Sequence, residues 1–190
     1  MTPSWLSWVT KCAAKVQEVA IRLLGLDPGL RATGWGIIDA NGNHLSAVAN
    51  GTIRASVDAP LAERLHHIFA EVGRVIIEFS PHECAVEETF VNKNPASTLK
   101  LGHARAAAIL GAAEAGLTVA EYSPNAVKKA VVGAGHADKK QVAVMVNMLL
   151  PAANADSSDS ADALAVAICH AHHRTTNTKL AQAIAAGQSR

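Results

Sequence analysis

The sequence predicts one α/β domain, a mixed five-stranded sheet with helices on both faces. Three observations predict it. Short apolar runs separated by turn signals fill residues 21–53. Longer stretches with helical periodicity follow, and helix and strand then alternate in the order βββαβαβααα. The 190 residues are 49% hydrophobic and 17% charged, a globular composition with enough chain to bury a core.

Residues 1–20 stand apart from this pattern. Trp5, Trp8, Val9, Cys12, Val16 and Val19 recur at helical spacing with Lys11, Lys15 and Glu18 between them. That reads as an accessory helix or as a start codon set too far upstream. No unbroken apolar run leads to a small-residue cleavage site, so a secretory signal is not expected. The domain proper is expected over 21–174, and an Ala-, Gln- and Thr-rich tail without acidic residues, 175–190, is expected to be flexible.

The first strand is Arg22–Asp27, an apolar run ended by one carboxylate. A Pro28-Gly29 turn returns the chain into a second strand, Gly34–Asp39, and Asn41-Gly42 marks a hairpin turn into a third, Leu45–Ile53. Leu61, Leu65, Ile68, Phe69, Val72, Val75, Ile76 and Phe79 form the apolar stripe of a helix over Pro60–Phe79. Glu83–Glu87 is a short buried strand, followed by the loop Thr89–Asn94. A helix rich in small residues runs from Pro95 to Ala115, and Leu117–Tyr122 is the fifth strand. Pro124 opens a helix that stops at Gly133, Lys139–Leu150 forms another, and Ser160–His172 the last.

Bulk properties bound the function. A net charge of +1 leaves polyanion binding to a local basic face. Cys12, Cys84 and Cys169 are odd in number and lack CxxC spacing, which points to reduced thiols in a cytosolic protein. No apolar run approaches the roughly 18 residues of a membrane span.

Three acidic clusters carry the candidate chemistry. Asp27 ends a strand that otherwise reads as core, where an unpaired charge costs several kcal/mol unless a cation or water meets it; it also has the simpler reading of a turn opener. Glu87-Glu88 end a later strand, and alternation sends them to opposite faces, so one of the two can share a face with Asp27. Asp159 and Asp162 lie three apart at a helix start, on one helix face, where acids also complement the macrodipole. Converging carboxylates repel unless hard cations neutralise them, and an oxygen-only set favours Mg²⁺ or Mn²⁺ over Zn²⁺. Two such ions suit phosphodiester hydrolysis.

A basic excess lies between these clusters. Residues 91–149 hold Lys93, Lys100, Arg105, Lys128, Lys129, Lys139 and Lys140 against Glu114, Glu121 and Asp138, a local net of +4. Phe90 sits in the loop beside Lys93 and Asn94, where an aromatic can stack on an unpaired base or anchor the loop in the core. Gly133-Ala-Gly135 follows no strand and is not a dinucleotide fingerprint. His170, His172 and His173 crowd too closely for one helix face to present all three to a metal.

Four stretches in order, GLDPGLRATGWG, AVEETFVNKNPASTLKLGHARAA, VKKAVVGAGHADKKQV and DSADALAVAICHAHH, resemble the bacterial RuvC-type Holliday-junction resolvases over Ile21–Arg174. The resemblance implies an RNase H-like fold, a homodimer and Mg²⁺-dependent symmetrical nicking of two like strands of a four-way DNA junction. It implies two Mg²⁺ per site, with Mn²⁺ able to substitute. Carried over by position, the catalytic and metal-binding acids fall on Asp27, Glu87, Asp159 and Asp162, which selects Glu87 over Glu88. The base-wedging aromatic falls on Phe90 and the DNA-contacting lysines on Lys128 and Lys139; Lys93, Asn94, Lys100 and Arg105 complete the expected DNA face. Two coordinated nicks call for a two-fold dimer, and Ala96–Ala115 is its expected interface. The resemblance further implies work beside the RuvA–RuvB branch-migration complex, in the cytoplasm and on the nucleoid. Three rivals are an actin-like or sugar-kinase ATPase, a nuclease of the same fold with another substrate, and a non-catalytic binder. The first needs a second domain for which 190 residues leave no room, and the complete acidic set argues against the last.

Overall fold

The computed structural model describes residues 20–89, 94–155 and 157–187, apart from the side chains of 178–183 and 185–187. β1 (Ile21–Asp27), β2 (Ala32–Asn41) and β3 (His44–Arg54) form an antiparallel meander, as the turn signals predict. α1 (Leu61–Phe79) leads to β4 (Glu83–Glu87), and α2 (Pro95–Glu114) leads to β5 (Thr118–Tyr122). α3 (Pro124–Val132), α4 (Lys139–Leu149) and α5 (Ser158–Gly187) complete the chain. The sheet order is β3-β2-β1-β4-β5, with β4 parallel to both β1 and β5. A helical crossover between parallel strands places each helix on a face, so the sheet is covered on both sides.

Alternation along β1 divides the core. Leu24 and Leu26, with Cys84 and Val86 of β4, face α1 and α2. Leu23, with Ala85 of β4, faces α3, α4 and α5. A cluster of fully buried Leu, Ile and Val side chains lies in each layer. Burial of each contributes roughly 1.5–3 kcal/mol.

α5 lies directly against the sheet. A Cβ added at Gly25 would meet the Ala163 carbonyl oxygen at 2.2 Å, and one at Gly36 would meet Leu164 Cδ2 at 2.8 Å. Glycine costs strand stability, and here it admits a helix backbone that any side chain would push away.

α5 runs to Gly187, beyond the His172 boundary that the apolar pattern predicts. Its buried run ends at Ala171, so periodicity fades where the helix leaves the core while the backbone pattern continues. A partly buried polar network ties this helix to the sheet: Tyr122 Oη and His170 Nδ1 are 2.8 Å apart, and His170 Nε2 lies 2.9 Å from Glu83 Oε2. Arg174 Nε donates to the other Glu83 oxygen at 2.9 Å. The crowded histidines are thus divided, with His170 spent on Glu83 and Tyr122, and His173 stacked on the Tyr122 ring.

Among the described residues, no helix is long and apolar enough to cross a membrane.

Candidate active site

β1 and β4 are parallel neighbours, with Leu26 paired to Val86, so Asp27 and Glu87 end adjacent strands side by side. Both follow residues that face α5: Asp27 continues Leu23 and Gly25, and Glu87 continues Ala85. The alternation that left Glu87 and Glu88 equal in the sequence resolves here, because Glu88 follows Val86 toward the opposite layer and is exposed. Crevices at the carboxyl ends of parallel strands are where open α/β sheets place their sites.

The start of α5 brings the other two acids over this end of the sheet. A Cβ on Gly34, which pairs with Asp27, would lie 1.9 Å from the Asp159 carbonyl oxygen. β3 holds the approach to the helix: Thr52 Oγ1 and Ser157 Oγ lie 2.7 Å apart, and Asn50 donates to the Ala153 carbonyl. Ser160 Oγ donates to the Ser157 carbonyl at 3.0 Å, closing the first turn. Asp159 and Asp162, three apart, then lie over the ends of β1 and β4.

The charges interact. Burial pushes the Asp27 carboxyl up to about 7, with Glu87, Asp162 and Asp159 adding to the shift and Lys139 opposing it. Burial and then Asp162 also raise Glu87, which Lys139, Lys128 and a hydrogen bond with Asp27 pull back. Lys139 Nζ donates to Asp162 Oδ2 at 3.1 Å. This lysine sits at the first position of α4, whose start is locked by a reciprocal capping box between Asp138 and Gln141.

The four acids expected to share a cation are therefore one electrostatic cluster. Among the described residues, however, no group of three or more His, Cys, Asp or Glu side chains stands ready to hold a metal ion. Asp162 is engaged by Lys139, and Asp27 by Glu87. The donor set is oxygen-only, which fits a hard divalent cation, while the closed cage is not assembled in this arrangement.

The expected DNA residues divide. Phe90 and Lys93 lie outside the described residues. Asn94 is the N-cap of α2, its Oδ1 accepting from the backbone N–H groups of Ala96 at 3.1 Å and Ser97 at 3.3 Å. Lys100 is exposed on α2, and Lys128 on α3 is half-buried and close enough to Glu87 to act on it. Arg105 is directed inward: its Nε donates to the Glu87 carbonyl at 3.0 Å, and its guanidinium pairs with Glu121. Its side chain is 18% exposed, so its cation ties the ends of β4 and β5 together beneath the site. Sequence reasoning missed this support because the partners lie 16 and 18 residues away.

The family model described as "Crossover junction endodeoxyribonuclease RuvC" matches residues 23–170. A protein so named from Paramagnetospirillum magneticum is 60% identical over 165 residues, 87% of this chain and 99% of its own length. The protein of that name from Brucella ovis is 54% identical over 169 residues, 88% of this chain and 98% of its own. A structure of Thermus thermophilus RuvC in complex with Holliday junction substrate superposes with a TM-score of 0.77 at 34% identity, covering 83% of this chain and 97% of that one. A yeast mitochondrial Holliday junction resolvase, at TM-score 0.58 and 12% identity over 92% of each chain, shares the fold.

Proposed function

The chain belongs to the RuvC family of crossover junction endodeoxyribonucleases, and on that premise we propose that it resolves four-way (Holliday) DNA junctions in recombination and repair. The reaction is paired, symmetrical hydrolysis of phosphodiester bonds in strands of like polarity. The observation that carries this reading is the convergence of Asp27, Glu87, Asp159 and Asp162 at the ends of two adjacent parallel strands, with Lys128 and Lys139 beside them.

The four carboxylates are the cation-binding set, and their oxygen-only chemistry suits Mg²⁺, with Mn²⁺ as a substitute and two ions matched to four acids. When bound, such ions supply the Lewis acidity that activates the attacking water and steadies the departing 3′-oxygen. The chain's own groups do the rest. Asp27, whose carboxyl burial pushes up to about 7, would hold the cation in its ionised form. Asp162 would be one of the residues that hold the cation, and Lys139, which donates to it here, would be placed to meet phosphate. Lys128 favours the ionised form of Glu87 and offsets a charge that otherwise repels the DNA backbone. Phosphoryl transfer of this kind depends on positioning and charge stabilisation.

Two nicks related by a two-fold axis require two sites, so the working form is a homodimer. The small-residue face of α2 packs within the chain: Ala104, Ala107, Ala108, Gly111 and Ala112 are buried, and a Cβ on Gly111 would meet the Phe69 carbonyl of α1 at 2.9 Å. The outer side of these two helices is the better surface. Leu110 is 60% exposed beside Leu65, Phe69 and Ala106 in an apolar groove between α1 and α2. Sedimentation at micromolar concentration tests this, and a monomer alone contradicts it. The nuclease domain spans 21–174, and it works in the cytoplasm, on nucleoid DNA, beside the RuvA–RuvB complex.

The test of the substrate is cleavage of a synthetic four-way junction against linear duplex and an RNA–DNA hybrid, with Mg²⁺ or with EDTA. Paired nicks in the junction alone, lost with EDTA, are expected. Cutting of the hybrid with the junction intact contradicts the reading.

A further inference from the structure

The turn between β1 and β2 presents Arg31 four residues after Asp27, and it is held from three sides. Thr33 Oγ1 donates to the Gly29 carbonyl at 2.9 Å, Arg64 Nη2 donates to the Leu30 carbonyl at 2.8 Å, and the Ala55 N–H donates to the Arg31 carbonyl at 3.2 Å. The Arg31 side chain itself is exposed, and among the described residues it has no hydrogen-bond or ion-pair partner. The same holds for Arg54 at the end of β3 and Lys100 on α2.

Arg31 and Lys100 line one groove of about 530 Å³ together with Leu30, Val57, Leu101 and the acid Asp159. Arg54 lines the adjoining depression with Glu63 and Arg64. The groove therefore opens directly from the acidic site. It leaves on the side of the sheet covered by α1 and α2, whereas Lys128 and Lys139 belong to helices on the other side. Unpaired cations beside apolar side chains match a sugar–phosphate strand, with phosphates on the cations.

We propose that Arg31 and Lys100, supported by Arg54, hold the phosphate backbone of the junction arm that continues past the cleaved bond. The strand then crosses the acids between two basic banks, Lys128 and Lys139 on one and this groove on the other. The inference rests on the junction-nuclease reading and adds residues and a direction to it. Rigid backbone anchoring of Arg31 lowers the entropy lost when it engages a phosphate.

The experiment is a binding titration of the full chain on a labelled four-way junction in EDTA, at several salt concentrations. It compares wild type, Arg31→Ala, Arg31→Lys, Lys100→Ala and the double alanine variant. Each lost phosphate contact removes about one unit from the slope of log affinity against log salt. The double variant is expected to lose about two units of slope and to bind roughly 10–100-fold more weakly near 0.1 M salt. Arg31→Lys should keep the slope, and Arg74→Ala, whose cation is paired with Glu71, should bind as wild type. Melting temperatures should be unchanged, because both altered side chains are exposed. An unchanged slope in the double variant, with wild type binding the junction, overturns the proposal alone. Wild type with no preference for the junction over duplex overturns the reading beneath it as well.

Discussion

The backbone of Gly34 lies so close to Asp159 that a Cβ on the glycine would sit 1.9 Å from the Asp159 carbonyl oxygen. β2 and the first turn of α5 are thus in backbone contact beside Asp27, which pairs with Gly34 across the hairpin. Gly34→Ala must lift the start of α5, and with it Asp159 and Asp162. Overpacking of this kind costs about 1–3 kcal/mol. The expected result is a folded protein with a lowered melting temperature and cleavage reduced by roughly 100-fold, since displacements near 1 Å carry such penalties. Circular dichroism and a single-turnover cleavage assay check both parts.

Asp27 titrates at about 7 rather than 3.8, because burial and three neighbouring carboxylates oppose its charge. Between those values the folded chain holds a proton that the unfolded chain has released. Stability of the cation-free protein therefore falls as pH rises from about 4 to about 7, by up to about 4 kcal/mol from this group. Glu87 is raised as well and acts with the same sign. His170, lowered first by burial, acts the other way, and its stabilising share is lost as pH falls below 6.5. Asp27→Asn should flatten the fall between about pH 4 and pH 7 in EDTA, measured by denaturant unfolding at pH 5 and pH 8. A variant as pH-sensitive as wild type over that range contradicts the assignment.

Lys139 is the cation that Asp162 touches in the structure. Removing it in Lys139→Ala leaves Lys128 as the remaining lysine that lowers Glu87. The expected outcome is a lower melting temperature in EDTA and a difference from wild type that shrinks as Mg²⁺ is added. A deficit of equal size at every Mg²⁺ concentration contradicts a charge-balancing role.

Arg105 supports Glu87 by its backbone carbonyl, so its loss should act on the site rather than on the affinity for DNA. Arg105→Ala is expected to cost about 1–3 kcal/mol of stability, chiefly through the Glu87 carbonyl left without its partner, since Glu121 is exposed to water. Its salt dependence of junction binding should match wild type, while the cleavage rate of bound junction falls. Arg105→Lys restores little, because one ammonium does not reproduce the fork that reaches both partners. A reduced salt slope assigns Arg105 to the DNA instead.

Much of this was legible in the sequence, for physical reasons. The meander follows from Pro28-Gly29 and Asn41-Gly42, and Asp27 stands out because a carboxylate ends a run of buried aliphatics. Alternation also contains the choice of Glu87 over Glu88, but using it requires knowing that Ala85 and not Val86 faces α5, which is a tertiary fact. Gly25, Gly34 and Gly36 look like weak points of two strands until α5 is laid across them. The small residues of α2 have two readings, an interface or close packing within the chain, and α1 supplies the second. Arg105 carries no local mark of its inward direction.

The most direct test of the central claim is the cleavage of a synthetic four-way junction in Mg²⁺ by wild type and by Asp27→Asn. Wild type should make paired symmetrical nicks. The variant should bind the junction as well or better, having lost a negative charge that faces phosphate, and should cut it at least about 1000-fold more slowly. An Asp27→Asn protein that resolves the junction at the wild-type rate would contradict the account at its centre.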